Sequence, residues 1–267
     1  MILPANSLRA RALSGETLVG AFVSLGSAAS AELVGRAGLD WAIVDLEHGS
    51  GSESELLGQL HALEAAGTTP LVRPQSAERL RIGRALDHGA AGLMIPRLDT
   101  AAEVREALSW MRFPPAGARG VALLTRGAGA GAVAHGDVAG LNDPILGVFQ
   151  VESPRAVENA SEIAAIEGVD VLFVGPADLS HGMGMPGAFD APAYREALGS
   201  VVAACRAAGK SPGILLRSPA ELEEYVALGF RFLGLGSDAG WIVDGGRVAA
   251  AAAQAAQART GDPVTSG

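Results

Sequence analysis

Cysteine and lysine each occur once in the 267 residues, as Cys205 and Lys210. A single thiol excludes an intramolecular disulfide and makes a cytosolic setting natural. A single lysine leaves one candidate for any chemistry that runs through a lysine nucleophile. Basic residues are outnumbered, with a formal net charge of −9, which argues against nucleic acid as a partner. An anionic substrate would therefore need local positive charge, from a metal or an arginine. The opening residues, Met1 to Ser7, lack a basic stretch ahead of an apolar one, so no signal peptide is expected. No apolar run reaches membrane-spanning length. What the chain does have is apolar residues, 49% against 18% charged, enough for one large core.

Those apolar residues fall into short β-branched runs separated by helix-like stretches. Strands are expected at 18–24, 41–45, 70–73, 92–96, 145–151, 169–174, 212–216 and 230–235. Helices are expected at 28–37, 53–66, 78–87, 100–111, 155–168, 193–208, 219–228 and 243–258. The first should turn Leu33 and Val34 inward, and Thr100 with Glu103 should form a capping box. Residues 113–143 read as irregular and glycine-rich. Eight strand–helix pairs recur at spacings of roughly 25–35 residues. A doubly wound sheet would show fewer strands and a glycine fingerprint after the first, which is missing. The pattern therefore predicts a (β/α)₈ barrel in one domain over 1–258, with 259–267 as a frayed tail.

In such a barrel, polar residues at strand C-termini are the place to look for chemistry. The stretch Val148 to Pro154 ends a strand at Glu152, and 170–180 ends the next just before Asp178. A helical crossover makes these strands parallel neighbours, so both carboxylates emerge at one edge. Two converging carboxylates suit a hard cation such as Mg²⁺ or Mn²⁺. Strand 2 offers Asp45, Glu47 and His48, and strand 3 offers Arg73. An Asp-x-x-His beside an arginine on the next strand favours function over simple loop capping. Arg73 lies between Val72 and Pro74 in an apolar strand, where burial demands an anionic partner. Either a structural carboxylate or a substrate would serve, and substrate is favoured. Gln150 lies two residues before Glu152, and Leu215 is the apolar end of strand 7. Arg97 reads as a salt-bridge residue, Ser237 and Asp238 end strand 8, and His61, His88 and His135 read as structural or exposed. His181 is left open.

Taken together, several stretches resemble the metal-dependent pyruvate aldolases of the HpcH/HpaI family. They are Ser30-Ala-Glu-Leu33 with Ala37-Gly-Leu-Asp-Trp41, Asp45-Leu-Glu-His48, Val72-Arg-Pro74, Arg119-Gly-Val121, Gln150-Val-Glu152, Val174-Gly-Pro-Ala-Asp-Leu-Ser180 and Ala207-Ala-Gly-Lys-Ser-Pro-Gly-Ile-Leu215. The resemblance runs in order from about residue 6 to about residue 250, and the Gly-Pro-Ala-Asp-Leu-Ser stretch coupled to Gln-x-Glu is its specific part. It implies a TIM barrel of the phosphoenolpyruvate/pyruvate-domain kind, whose last helix packs on a neighbouring subunit in a trimer-based hexamer.

The resemblance also implies reversible aldol cleavage of a 4-hydroxy-2-oxo acid to an aldehyde and pyruvate, or a close 2-oxo acid such as hydroxypyruvate, through a metal-stabilised enolate. Glu152 and Asp178 match the metal ligands, for Mg²⁺ or Mn²⁺ with Co²⁺ or Zn²⁺ as further candidates. Arg73 matches the residue that reaches the keto oxygen. His48 matches the acid/base apparatus, with Asp45 placed to orient it or a water. Gln150, Leu215 and the backbone of Ala177 and Asp178 fall on the substrate. Arg126 matches an arginine at the far end of the aldehyde. Asp87 matches an aspartate tied to the histidine, and from the end of its helix it reaches one only across a subunit interface. Lys210, in a helix-to-strand loop at the opposite face, makes a Schiff-base mechanism untenable. The same site would also suit an oxaloacetate-type decarboxylase or a citrate-lyase-β-like lyase of CoA esters, and a non-catalytic metabolite-binding barrel is a third reading. Two stretches depart from the family, Gln75-Ser-Ala-Glu-Arg79 without its tryptophan and the bland Gly127-Ala-Gly-Ala-Gly-Ala132. Both suggest a small or permissive acceptor pocket.

Overall fold

The computed structural model describes residues 7–260. Eight parallel strands close into a barrel in the order β1 to β8. They are β1 (Leu18–Val23), β2 (Trp41–Asp45), β3 (Thr69–Arg73), β4 (Gly92–Ile95), β5 (Leu146–Val151), β6 (Val171–Val174), β7 (Ser211–Leu215) and β8 (Phe232–Ser237). The helices are α1 (Leu8–Leu13), α2 (Ala28–Gly35), α3 (Glu53–Ala65), α4 (Arg79–Asp87), α5 (Ala101–Met111), α6 (Pro154–Glu158), α7 (Ala160–Ala164), α8 (Pro176–Gly182), α9 (Pro192–Ala208), α10 (Leu222–Leu228) and α11 (Asp238–Thr260). The (β/α)₈ barrel expected from the pattern is the fold observed. Among the described residues no helix is long and apolar enough to cross a membrane.

Period-2 alternation sorts each strand into an inner and an outer face. Outward residues such as Val44, Val72, Leu93 and Leu172 pack under the helices. Inward residues Leu18, Trp41, Ile43, Leu71, Met94, Val148, Val171, Phe173 and Phe232 fill the barrel. The few aromatics are concentrated here: Trp41 stacks on Phe232 with centroids 4.4 Å apart and meets Phe173 edge-on at 6.4 Å. Room for that indole comes from Gly20, where an added Cβ would sit 2.0 Å from the Trp41 ring. Gly20→Ala is expected to cost about 1–3 kcal/mol or more through overpacking, read as a lowered urea midpoint.

Several expectations need correction. Leu33 is exposed, because α2 turns Ala31, Val34 and Gly35 to the barrel and leaves Leu33 on the outer face. The helix expected over 155–168 breaks into α6 and α7 at Asn159, whose amide donates to the Asp99 carbonyl at 2.8 Å and holds the chain out of helical register. The loop after β6 is itself a helix, α8, started by Pro176. β8 runs two residues further than expected, and α11 begins at Asp238 instead of Val243. Short 3₁₀ turns interrupt the irregular stretch at Arg126–Ala128 and His135–Asn142. α1 is an element outside the expected set; Ser7 caps it, and it sends Leu8 and Ala12 into the barrel-floor cluster. The Thr100–Glu103 capping box is formed. Residues 259 and 260 still belong to α11, and the rest of the expected tail lies outside the described residues, as does nearly all of the stretch read for a signal peptide.

Candidate active site

The same alternation that fills the barrel builds the site. On β2 the inward series Trp41, Ile43 ends at Asp45; on β3 Leu71 is followed by Arg73; on β5 Val148 is followed by Gln150, and Glu152 lies two residues beyond. The apolar layers therefore end in a polar layer at the C-terminal mouth. Register pairs Asp45 with Arg73 across β2 and β3. The Arg73 guanidinium donates to Asp45 through Nε at 2.9 Å and Nη2 at 2.7 Å. This fork-on-fork pair is strong and directional. Arg73 is 9% exposed and Asp45 5%. The buried cation thus has a structural carboxylate as its partner, the alternative the sequence left second. Arg73 also lies 5.1 Å from the centre of the Phe22 ring.

Its third nitrogen is less committed. Nη1 stands 3.3 Å from Glu47 Oε2 and 3.5 Å from Gln150 Oε1. Gln150 in turn donates to Glu152 Oε2 at 3.1 Å, which links Arg73 to the carboxylate at the end of β5. The backbone N–H of Arg97 donates to Glu152 Oε1 at 2.8 Å. To aim it there, Arg97 adopts φ of +58°, in the left-handed region. Gly175 completes the seat, since a Cβ there would lie 3.2 Å from Glu152 Oε2.

Asp45 does not reach the His48 imidazole. Its Oδ1 instead accepts the backbone N–H groups of Glu47 and His48 at 3.1 and 3.2 Å, which shapes the turn after β2. The exposed His48 ring has Glu47 Oε2 as its nearest carboxylate, 3.8 Å from Nε2. The sequence assigns Glu47 no role. Its position two residues past Asp45, continuing the inward alternation, was the available signal. Leu215, His48 and Arg73 line one cavity of about 420 Å³ together with Phe22 and the start of α11. Glu152, Asp178, Arg97 and His181 line a second, of about 340 Å³. Asp178 and Ala177 sit in the first turn of α8.

Asp87 and Arg126 lie elsewhere. Asp87 closes α4, just before β4 begins, and so belongs to the opposite face of the barrel; there it accepts from Arg119 at 2.8 Å. Arg126 is paired with Glu64 and donates to the His88 carbonyl at 3.0 Å. Within one chain neither meets His48. Lys210 sits between α9 and β7 on that far face, as its loop position implied.

The carboxylates have the character of a cation site. Burial pushes the Glu152 carboxyl above its usual pKa, and the charges of Glu47 and Asp178 add to that. Glu47 is likewise pushed up by burial, with Arg73 opposing. Glu47 Oε2 is buried and, apart from its ion-pair approach to Arg73, has no hydrogen-bond partner. No group of three or more metal-ligating side chains occurs among the described residues. Two carboxylates fit a hard cation that keeps positions open for water or substrate oxygens. Without a cation the raised acid is a liability: its ionised form is disfavoured in the folded chain, so folding loses stability as pH rises through the folded pKa. Glu152→Gln should therefore raise the melting temperature of the metal-free protein by a few degrees at pH 8 and leave it unchanged at pH 4, measured by calorimetry.

A parallel eight-stranded barrel carrying acid groups and a clamped arginine at its C-terminal mouth defines an enzyme. The sequence pattern of the family described as HpcH/HpaI aldolase/citrate lyase matches residues 18–244. A hydroxypyruvate/pyruvate aldolase from Delftia acidovorans is 40% identical over 239 residues, 89% of this chain and 88% of the relative. A 4-hydroxy-2-oxo-heptane-1,7-dioate aldolase from Salmonella arizonae is 35% identical over 246 residues, 92% of this chain and 94% of the relative. A crystal structure of an HpcH/HpaI aldolase/citrate lyase family protein from Burkholderia cenocepacia superposes with a TM-score of 0.87 at 35% identity, covering 92% of this chain and 98% of that one. The chain belongs to the HpcH/HpaI aldolase/citrate lyase family. It is a class II aldolase, a carbon–carbon lyase.

Proposed function

We propose that the enzyme cleaves and forms 4-hydroxy-2-oxo acids, with pyruvate or hydroxypyruvate as the donor and a small aldehyde as the acceptor. The observation that carries this reading is the Arg73 guanidinium, held by Asp45 on two edges and left with Nη1 turned toward the Gln150–Glu152 side of the mouth. That nitrogen is placed to donate to the C2 oxygen of a 2-oxo acid. Glu152 and Asp178 would hold the divalent cation, Mg²⁺ or Mn²⁺, which when bound supplies positive charge beside that oxygen. The backbone N–H groups of Ala177 and Asp178 would take the substrate carboxylate.

Cleavage of the C3–C4 bond needs a proton removed from the C4 hydroxyl and leaves negative charge on the C2 oxygen. His48 lines the cavity where C4 would lie, and its imidazole is the candidate general base. Arg73 meets charge that grows only as the bond breaks, so its donation favours the transition state over the ground state. Asp45 acts on Arg73 and on the His48 backbone, and serves as a positioning residue. Leu215 and Phe22 give the donor's three-carbon unit an apolar wall.

The assembly we propose is a trimer-based hexamer. α11 leaves Trp241, Ile242, Val243 and Val248 exposed, and such a face needs a neighbouring copy to cover it. In that assembly Asp87 and Arg126 of one copy could approach the mouth of another. The reading is tested by incubating the Mn²⁺-loaded enzyme with a 4-hydroxy-2-oxo acid and following pyruvate with lactate dehydrogenase. Pyruvate and aldehyde in equal amounts are expected. Turnover of oxaloacetate alone, with no aldehyde from any hydroxy-oxo acid, would replace this reading with decarboxylation.

A further inference from the structure

We propose a second binding site on the face of the barrel opposite the mouth, shaped for a small α-amino acid held as a zwitterion. A cavity of about 310 Å³ opens there, beside the end of α5 and the starts of β5 and β6. Arg112 and Arg9 form its inner side. Arg112 is 8% exposed and has no ion-pair partner among the described residues. Its Nη2 donates to the Ile145 carbonyl at 3.2 Å, and its Nη1 is buried with no partner. A buried guanidinium answered by one carbonyl carries uncompensated charge, which is costly. Burial pushes its pKa down to about 10, with the charge of Asp170 opposing. That carboxylate is already engaged: Asp170 Oδ2 accepts from Arg9 Nε and from the Gly147 N–H, each at 2.9 Å. Arg9 Nη1 donates to the Asp143 carbonyl at 2.8 Å, and its Nη2 donates to nothing among the described residues. Two guanidinium groups thus face one carboxylate, and the charge calls for a second.

The outer side of the cavity carries the opposite charge. Asp143 and Glu167 line it, both are exposed, and neither side chain forms an ion pair or hydrogen bond among the described residues. A bare anion is repelled by these two as it enters. A molecule with an ammonium group one carbon from its carboxylate is attracted at both ends. Leu108 and Ala116 add an apolar wall. Gly168, with φ of +93°, brings its backbone close to that wall: an added Cβ would stand 3.0 Å from Leu108 Cδ2 and 3.7 Å from Arg112 Nη2. A short aliphatic side chain suits such a surface. The proposed aldol chemistry uses none of these residues. β5 runs from this cavity toward Gln150 and Glu152, so the two sites lie at opposite ends of one strand.

The experiment titrates the Mn²⁺-loaded enzyme with L-alanine, propionate and ethylamine by isothermal calorimetry. Alanine should bind about tenfold tighter than propionate or better, and ethylamine should give no heat. Asp143→Asn combined with Glu167→Gln should weaken alanine by about tenfold and leave propionate unchanged or tighter, as expected when exposed charges facing an ammonium group are removed. Both side chains are exposed, so this double variant folds. Arg112→Lys keeps a charge but gives up the fork, and should weaken alanine and propionate alike. Should that buried substitution unfold the chain, the exposed pair decides alone. Propionate binding as tightly as alanine would make this a plain anion site. Alanine affinity unmoved by the double variant would place the ligand elsewhere, and no heat from alanine would leave the cavity to water. Each of these three results overturns the proposal, and none of them bears on the aldol reading.

Discussion

Arg73→Ala is expected to lower kcat/KM for aldol cleavage by about 10³-fold while the Mn²⁺ dissociation constant stays within about threefold. That factor is about 4 kcal/mol of transition-state stabilisation, the scale seen when one donor to a developing oxyanion is removed. The split between rate and metal affinity follows from the geometry. Arg73 touches Asp45, Glu47 and Gln150 but neither Glu152 nor Asp178. Removing it strands the buried Asp45 carboxylate, which costs about 3–5 kcal/mol of stability in comparable cases. A loss of activity must therefore be read on folded protein, checked by circular dichroism. Arg73→Lys is the control, since it keeps a charge near Asp45 but cannot hold two edges and offer a third. It should recover stability more than rate. An unchanged rate in Arg73→Ala would mean that the guanidinium serves only to neutralise Asp45.

Chelation should have an effect as large. EDTA is expected to stop pyruvate release, and Mn²⁺ in excess to restore it, with Asp178→Asn raising the Mn²⁺ dissociation constant by roughly 100-fold or more. The pH dependence has a definite sign. Burial holds both the Glu152 and the Glu47 carboxyls above their usual pKa, and the charge of Glu47 adds to the effect at Glu152, so protons compete with the cation more effectively than at an ordinary acid. Metal affinity should fall as pH is lowered from 8 toward 5, and fall less steeply in Glu47→Gln, where one source of repulsion on Glu152 is gone. Titration of Mn²⁺ by electron paramagnetic resonance at several pH values measures this directly. Pyruvate release that survives exhaustive chelation would remove the cation from the mechanism.

The two predictions depend on different degrees of legibility. Glu152 and Asp178 could be paired from sequence because a strand–helix–strand unit puts consecutive strand ends on one edge. Helix breaks inside the crossover, such as that at Asn159, do not alter which edge that is. Asp45 was legible as a site residue but not in its role. Its contacts depend on the register of β2 against β3, and one residue of slip would turn it away from Arg73. The role of Glu47 is illegible for a related reason. A carboxylate in a turn reads as solvent-exposed unless the turn is known to fold back over the barrel mouth.

By itself the sequence determined the barrel, the sheet edge to which Asp45, Arg73, Gln150 and Glu152 are brought, and the place of Lys210 at the opposite edge. These follow from alternation and from chain direction, which are local properties. Only the tertiary structure decided that Asp45 clamps Arg73, that Arg97 lends its backbone to Glu152, and that Asp238 at the start of α11 binds Ser24 in the loop after β1. Each of those contacts joins residues on different strands or loops, 28 to 214 positions apart in the cases of Asp45 with Arg73 and Ser24 with Asp238. Their distances are set by the closure of the sheet and the packing beneath it, and no pattern along the chain encodes them.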